Sequence, residues 1–303
     1  MSAGTTATSG ASAGASPTEH GPFGVAAAST PAATPDPAGV DGILAALEAG
    51  RLRAAAPDPA APGGWALRPD ARAAILALFA DRATRSWTAA EAFGFSDRAG
   101  LPPKDIAGSP DGRAAASAGR PWRIVPGGTA IRAGAHLEPG VVVMPPSYIN
   151  VGAWVGADTM VDSHVLVGSC AQVGARVHLA AGVIVGGVLE PAGARPVIVE
   201  DDAFVGAGCL LLDGVLVGQG AVLGAGVTLT GTSRLYDLVG RRILEGTRDA
   251  PLCVPPGAVV VPGTRALAGE FAGLHGLGAQ VALIVKHRDA RTDARVALEE
   301  ALR

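Results

Sequence analysis

From Thr129 onward the apolar positions of this chain recur every sixth residue, a period that belongs neither to a helix nor to an ordinary strand. Ile131, Leu137, Val143, Ile149, Val155, Val161, Val167, Val173, Leu179 and Val185 form one run. After a break, Val199, Val205, Leu211, Val217, Leu223 and Leu229 continue it, and no position in either series fails. Two residues before most of them stands a small or β-branched residue, among them Ala135, Ala153, Thr159, Ala171, Val183, Ala203, Cys209 and Ala221. Three residues after many of them stands a turn-tolerant one: Gly134, Gly140, Gly152, Asp158, Gly182, Asp202, Gly208, Gly214, Gly220 and Gly226. A short strand and a corner in every hexad, three hexads to a coil, predicts a triangular prism built as a parallel β-helix. Its aliphatic residues fill the interior, the small residues leave them room, and successive coils pair about 4.8 Å apart. Ordinary sandwich strands would alternate with period two. The period leaves the hand of the coil open, and general crossover rules favour the right hand.

The flanking patterns differ. Met1 to about Pro37 is rich in Ala, Ser, Thr, Gly and Pro and is expected to be a disordered tail. From Asp41 as N-cap, the spacing of Ile43, Leu44 and Leu47 predicts an amphipathic helix ending near Gly50. A Pro/Gly-rich linker from Pro59 to Gly64 follows, and Pro69 opens a second helix carrying Ala73, Ile75, Leu76, Leu78 and Phe79. Between Phe93 and Gly119 the signals are turns, and no regular element is predicted. Breaks in the hexads at about Gly187–Pro196 and Thr232–Cys253 should project as loops. A smooth prism has flat sides, so those loops and a neighbouring subunit must supply the concavity of a ligand site. Val254 and Val260 resume the spacing, Val281–Val285 reads as a strand, and Thr292–Leu302 reads as a helix. The expected organisation is a tail (1–37), a small α-helical N-terminal domain (38–120), the β-helix (121–264) and a mixed α/β C-terminal segment (265–303).

Composition narrows the function classes. The chain has 303 residues, 49% hydrophobic and only 4% aromatic, with 43 Gly and 23 Pro, which suits tight corners and a narrow interior. A formal net charge of −3 and the lack of a basic run give no support for binding nucleic acid or an anionic membrane. No apolar stretch reaches the roughly 18 residues of a membrane span, and the first Lys or Arg is Arg51, so no secretory or transit signal is read and the expectation is cytoplasmic. Cys170, Cys209 and Cys253 show no CxxC spacing and read as small buried residues in a reducing compartment.

The stretch SYINVGAWVGADTMVDSHVLVGSCAQVGARVHLAAGVIVGGVLEP, Ser147 to Pro191, resembles the tetrahydrodipicolinate N-succinyltransferase family. Its MVD, VGSCAQ, VHL and GGVLEP segments go beyond the generic hexad. FSDRAGLPPKD, WRIVP at Trp122, GTSRLYD at Gly231 and VALIVKHRDART extend the likeness from about Gly39 to the end. The resemblance implies a left-handed coil and a homotrimer with active sites between adjacent prisms. It implies succinyl-CoA as co-substrate, no tightly bound cofactor, no metal, and L-2-amino-6-oxopimelate as acceptor in the diaminopimelate and lysine pathway.

Such chemistry needs a base for the ammonium ion, donors for the oxyanion on the thioester carbonyl, and cations for two substrate carboxylates. By motif position, Arg123 matches a residue that clamps a carboxylate, and Asp162 one that grips the amino group. Gly187, Ala207 and Ala225 are expected to wall the CoA arm, with simple fit to a crowded coil as the other reading. Arg234 and Lys286 are the cations expected for the CoA phosphates, against plain surface charge. Two departures stand out: Gly208 and Leu210 replace the arginine and glutamate usual in the family, and His164 replaces a common tryptophan. Three readings therefore stay open. Asp162 with His164 performs the base role, the chain is a paralogous CoA-dependent N-acyltransferase with a changed donor or acceptor, or it is a non-catalytic scaffold. His178 fits the family and reads as a hydrogen-bonded structural histidine. His136, His164 and His178 are not arranged for zinc.

Overall fold

The computed structural model describes Met1 and residues 39–89, 93–189 and 194–288. The expected tail, Met1 apart, and the helix expected at Thr292–Leu302 lie outside the described residues.

The hexads fold as left-handed parallel β-helix coils. Two-residue strands stack in parallel register, Ala130 opposite Tyr148 and Tyr148 opposite Leu166, so a coil takes 18 residues where nothing is inserted. Side one of the prism stacks the strands that begin at Ala130, Tyr148, Leu166, Ile184, Leu210 and Thr228. Side two stacks those beginning at His136, Trp154, Gln172, Ile198, Leu216 and Cys253. Side three runs from Arg123 through Val142, Met160, His178, Phe204 and Val222 to Ala258. In each pair the second residue points inward. From Leu137 to Leu229 every aliphatic of the hexad series is at most 1% exposed, and Ile131, at the open end, packs partly buried against the same core. Each fully buried Val or Leu contributes about 1.5–3 kcal/mol by removal from water. All ten corner residues named from the sequence adopt left-handed backbone, and His164, Cys170, Arg176 and Asp213 join them with φ between 53° and 64°. A non-glycine residue held there costs about 1–2 kcal/mol, which the ladder hydrogen bonds on both flanks offset.

The N-terminal portion covers side two. Helix α1 (Gly39–Glu48) buries Ile43, Leu44 and Leu47 and stops before Gly50, whose φ is +71°; it already runs from Gly39, so Asp41 lies inside its first turn rather than at the cap. Helix α2 (Pro69–Ala77) begins at Pro69, as expected. The structure adds two antiparallel hairpins, Ala55–Pro57 with Trp65–Leu67 and Thr84–Ala89 with Phe93–Arg98, and a helix α3 (Pro110–Ser117) where no regular element is predicted. Strands of three residues are too short to show alternation. Helix α3 has only eight residues, one of them Gly, although its start is conventional: Ser109 Oγ accepts the Gly112 N–H and Pro110 takes the first turn.

Contacts with side two are specific. The Arg53 guanidinium lies 3.9 Å from the Trp154 ring centre, and its Nε donates to Gln172 Oε1 at 2.6 Å. Burial lowers the Arg53 pKa to about 10, against the opposing pull of Glu138 and Asp201. At the first coil Lys104 is fully buried, its Nζ donating to Glu48, to both oxygens of Asp111 and to the Ala135 carbonyl at 2.9–3.0 Å.

The second break in the hexads is an antiparallel hairpin, Arg234–Asp237 with Arg242–Glu245, rather than a plain loop. It pairs through Gly278–His287 with Ala258–Ala266, extending side three into a ten-stranded sheet, and the short helix α4 (Glu270–Leu274) lies at the tip. No helix among the described residues is long and apolar enough to cross a membrane.

Candidate functional site

With side two covered, the edge between sides three and one gathers the chemistry. Corners stack there coil on coil. His164 N–H donates to the Pro146 carbonyl at 2.6 Å; Gly182 donates to Ser163, Gly208 to Ala181 and Gly226 to Ala207, each at 2.9 Å. Asp162, His164, Ala207 and Ala225 therefore share one edge.

Asp162 enters this edge half-buried at the end of its strand. Its N–H donates to the Leu179 carbonyl, and its Oδ1 accepts the Ser163 N–H at 2.7 Å. Ser147 Oγ donates to the Asp162 carbonyl and accepts the Val165 N–H, which fixes the turn from below. Among the described residues Oδ2 of Asp162 has no hydrogen-bond partner. His164, two residues on, is exposed at φ +62° and makes no hydrogen bond or ring contact with Asp162.

Above His164 the edge carries only Ala and Gly: Ala180–Gly182, Gly206–Gly208 and Gly224–Gly226. A Cβ added at Gly208 or Gly226 would meet nothing within 4 Å, and at Gly182 its nearest neighbour would lie 3.9 Å away. Three coils thus present a bare strip about 10 Å long at the usual spacing.

The outer ladder of side three runs beside that edge in the order Arg123, Val142, Met160, His178, Phe204. Arg123 is exposed at its foot, and among the described residues its guanidinium has no partner. His178 stacks on Phe204 with ring centres 5.0 Å apart. Burial lowers its pKa and the charge of Asp162 partly opposes that. Neither ring nitrogen of His178 has a hydrogen-bond partner among the described residues, so the structural hydrogen bond read from the sequence is not there.

Other predicted residues lie elsewhere. Gly187 sits on the edge between sides one and two, where an added Cβ would stand 2.3 Å from the Ser169 nitrogen and 2.8 Å from the Gly168 carbonyl carbon; coil crowding alone demands glycine there. Arg234 Nε pairs with Glu245 at 2.6 Å in the exposed hairpin. Lys286 lies opposite Val259 in the strand that extends side three. Leu210 belongs to an apolar outer ladder on side one with Tyr148, Leu166 and Ile184, and offers no proton acceptor. His136 is engaged on side two, its Nδ1 2.7 Å from the Glu48 carbonyl oxygen. Burial raises the Cys170 and Cys209 thiols to about 11, which removes them as nucleophiles at neutral pH.

Sequence reasoning missed the proximity of Asp162 to His178, whose ring feels the Asp162 charge. The signal was present: sixteen residues separate them, two fewer than the 18 of a coil, and that offset makes diagonal neighbours.

Residues 196–231 match a family model described as the hexapeptide repeat of succinyl-transferase. The 2,3,4,5-tetrahydropyridine-2,6-dicarboxylate N-succinyltransferase of Idiomarina loihiensis is 48% identical over 181 residues, 60% of this chain and 61% of that one, so the match spans about three fifths of that relative. The protein of the same name from Paramagnetospirillum magneticum is 38% identical over 264 residues, 87% of this chain and 89% of that one. A Campylobacter jejuni crystal structure named for a 2,3,4,5-tetrahydropyridine-2-carboxylate N-succinyltransferase overlaps at TM-score 0.39 and 19% identity, over 54% of this chain and 42% of that one, too partial to bear on the site. Identity sustained along 89% of a relative's length places this chain in the tetrahydropyridine-dicarboxylate N-succinyltransferase family.

Proposed function

We propose that the protein moves the succinyl group of succinyl-CoA to the primary amine of L-2-amino-6-oxopimelate, the opened hydrate of tetrahydrodipicolinate, in the cytoplasmic diaminopimelate route to lysine. The observation that carries this reading is the stacked edge: a half-buried carboxylate, Asp162, leads into three coils of bare Ala and Gly, with the unpaired guanidinium of Arg123 on the adjoining side. Arg123 clamps a substrate carboxylate. Asp162 pairs with the ammonium group, and His164 at the same corner is a candidate to share the proton chemistry. The CoA arm, rich in amides, lies along the Ala207 and Ala225 corners, where backbone groups are within reach.

One prism supplies an edge rather than a pocket, so a second copy closes the site, in a homotrimer. Gly187, on another edge of the same prism, joins a CoA site only across that interface. Lys286 and Arg234 meet the CoA phosphates, Arg234 after release from Glu245. No tightly bound cofactor or metal enters the reaction. Leu210, on its apolar ladder, favours a second reading: a related N-acyltransferase with a different donor or acceptor.

Purified protein given succinyl-CoA or acetyl-CoA with a panel of amines, with thiol release followed, tests both. The expected result is release with succinyl-CoA and the amino-oxopimelate, with the acceptor KM raised in Arg123→Ala. Release only with another pair overturns the first reading in favour of the second. An intact oligomer that binds no CoA thioester by calorimetry overturns both and leaves a scaffold.

A further inference from the structure

Resting on the transfer proposed above, the open question is which group takes the proton of the attacking amine. Along this edge and the outer ladder of side three, the carboxylate and imidazole groups among the described residues are Asp162, His164 and His178. Asp162 already accepts the Ser163 N–H and is the counter-charge an incoming ammonium ion needs. His164 is exposed, and nothing holds its ring toward Asp162.

His178 differs on three counts. It stands one coil above Asp162 and two residues back, a diagonal position on the adjacent strand about 7–8 Å away, a span within reach of longer side chains. Its ring is half-buried and oriented by the stack on Phe204 at 5.0 Å. Neither of its nitrogens is spent on a protein partner among the described residues. We infer that His178 takes the proton from the attacking nitrogen while Asp162 holds the amine, making His178 the general base of the transfer.

Burial keeps this imidazole below its ordinary pKa, so the ring is neutral and ready to accept at neutral pH. The facing groups agree. The strand below presents Met160 and Asp162, the strand above presents Phe204, and the nearby Arg176 is taken up by Asp201 and Asp202 at the opposite corner of its coil.

The ammonium ion first loses one proton to solvent. The amine lone pair then attacks the thioester carbonyl carbon, forming the C–N bond, and the N–H proton of the adduct passes to His178. The C–S bond breaks, the thiolate leaves, and the imidazolium returns that proton to sulfur, giving amide, free thiol and neutral histidine.

The test compares wild type with His178→Asn, His164→Asn and Asp162→Asn in thiol release from succinyl-CoA between pH 5 and 9, with fold and oligomer checked by circular dichroism and sedimentation. His178→Asn is expected to lose kcat by about 10²- to 10⁴-fold, to keep KM for both substrates within a few-fold, and to lose the acid limb of the pH profile. In parallel, the His178 ring signal of the full-length wild type is titrated by NMR. Its midpoint is expected below that of a free histidine, and lower still in Asp162→Asn. A His178→Asn variant within tenfold of wild-type kcat with its acid limb intact overturns the role, as does loss confined to His164→Asn or a midpoint that Asp162→Asn does not move. A wild type that binds succinyl-CoA yet releases no thiol with any amine overturns the transfer itself and the base role with it, a result distinct from the failure of His178 alone.

Discussion

Replacing Gly156 by Ala sets local backbone preference against coil stacking. Gly156 is buried at the corner between sides two and three, and its φ lies outside the left-handed region. On chain entropy alone, Gly→Ala at such a site stabilises by about 0.4–1 kcal/mol. The next coil reverses the sign. A Cβ there would lie 2.4 Å from the Gly174 carbonyl carbon, 2.5 Å from the Ala175 nitrogen and 2.6 Å from the Gly174 oxygen, all backbone atoms that cannot rotate away. Restoring an ordinary contact of about 3.4 Å means parting two coils by about 1 Å and stretching the hydrogen bond from Gly156 N–H to the Val173 carbonyl, now 2.8 Å. Overpacking of this kind costs about 1–3 kcal/mol and a weakened buried hydrogen bond about 1 kcal/mol more, so a net loss of about 3 kcal/mol is expected. Gly208→Ala is the control. It has φ +67° but nothing within 4 Å of its Cβ, so it should lose only the roughly 1–2 kcal/mol of left-handed backbone. Urea unfolding followed by circular dichroism, at one fixed protomer concentration, reads both. A Gly156→Ala protein as stable as wild type, or less affected than Gly208→Ala, would refute the stacking on which the prism rests.

Leu211→Ala empties part of the side-one interior ladder, where Leu211 is wholly buried between Val185 and Leu229, and should cost about 3–4 kcal/mol in the same assay; less than 1 kcal/mol would mean the residue does not point inward. Lys104→Met leaves the carboxylates of Asp111 and Glu48, 1% and 11% exposed, without their cation, and a loss of about 3–5 kcal/mol is expected, with an unchanged unfolding midpoint as the contrary result. Burial holds the His136 pKa below that of the unfolded chain. The unfolded state therefore binds more protons once the pH drops under about 6.5. Stability should be full above that pH and fall progressively toward the folded pKa, and thermal melts across pH 5 to 8 should show a shallower fall in His136→Asn. Equal slopes in the two proteins would exclude burial of His136 as a cause.

The interior was legible in the sequence because the constraint on it is local and periodic. A prism side holds one inward aliphatic per hexad, so Leu137 through Leu229 declare themselves by spacing alone, and the corner glycines and aspartates do the same through the left-handed backbone they tolerate. Helices α1 and α2 were readable from their apolar spacing, and α2 also from Pro69 at its start. The three-residue strands near Ala55 and Trp65 were not, because three residues barely complete one alternation, and α3 was not, because it buries Asp111, Gly112 and Ala115 and so shows no apolar stripe.

The site was only half legible. Gly187, Ala207 and Ala225 occupy the same place within their hexads, so the pattern cannot separate them. Which edge each occupies depends on whether the insertion between Val185 and Val199 consumes a side of the triangle. Stacking answers that, putting Ala207 and Ala225 above Asp162 and Gly187 on a different edge.

By itself, then, the sequence determined the prism, its contents and its corners, since each of these is decided within six residues by size and backbone angle. The hand of the coil does not follow from the period. Nor does the covering of side two by Arg53 and Trp65, or the placing of His178 diagonal to Asp162. Those arise from contacts between residues a whole coil or a whole domain apart, where what matters is which surfaces meet, and only the folded chain decides that.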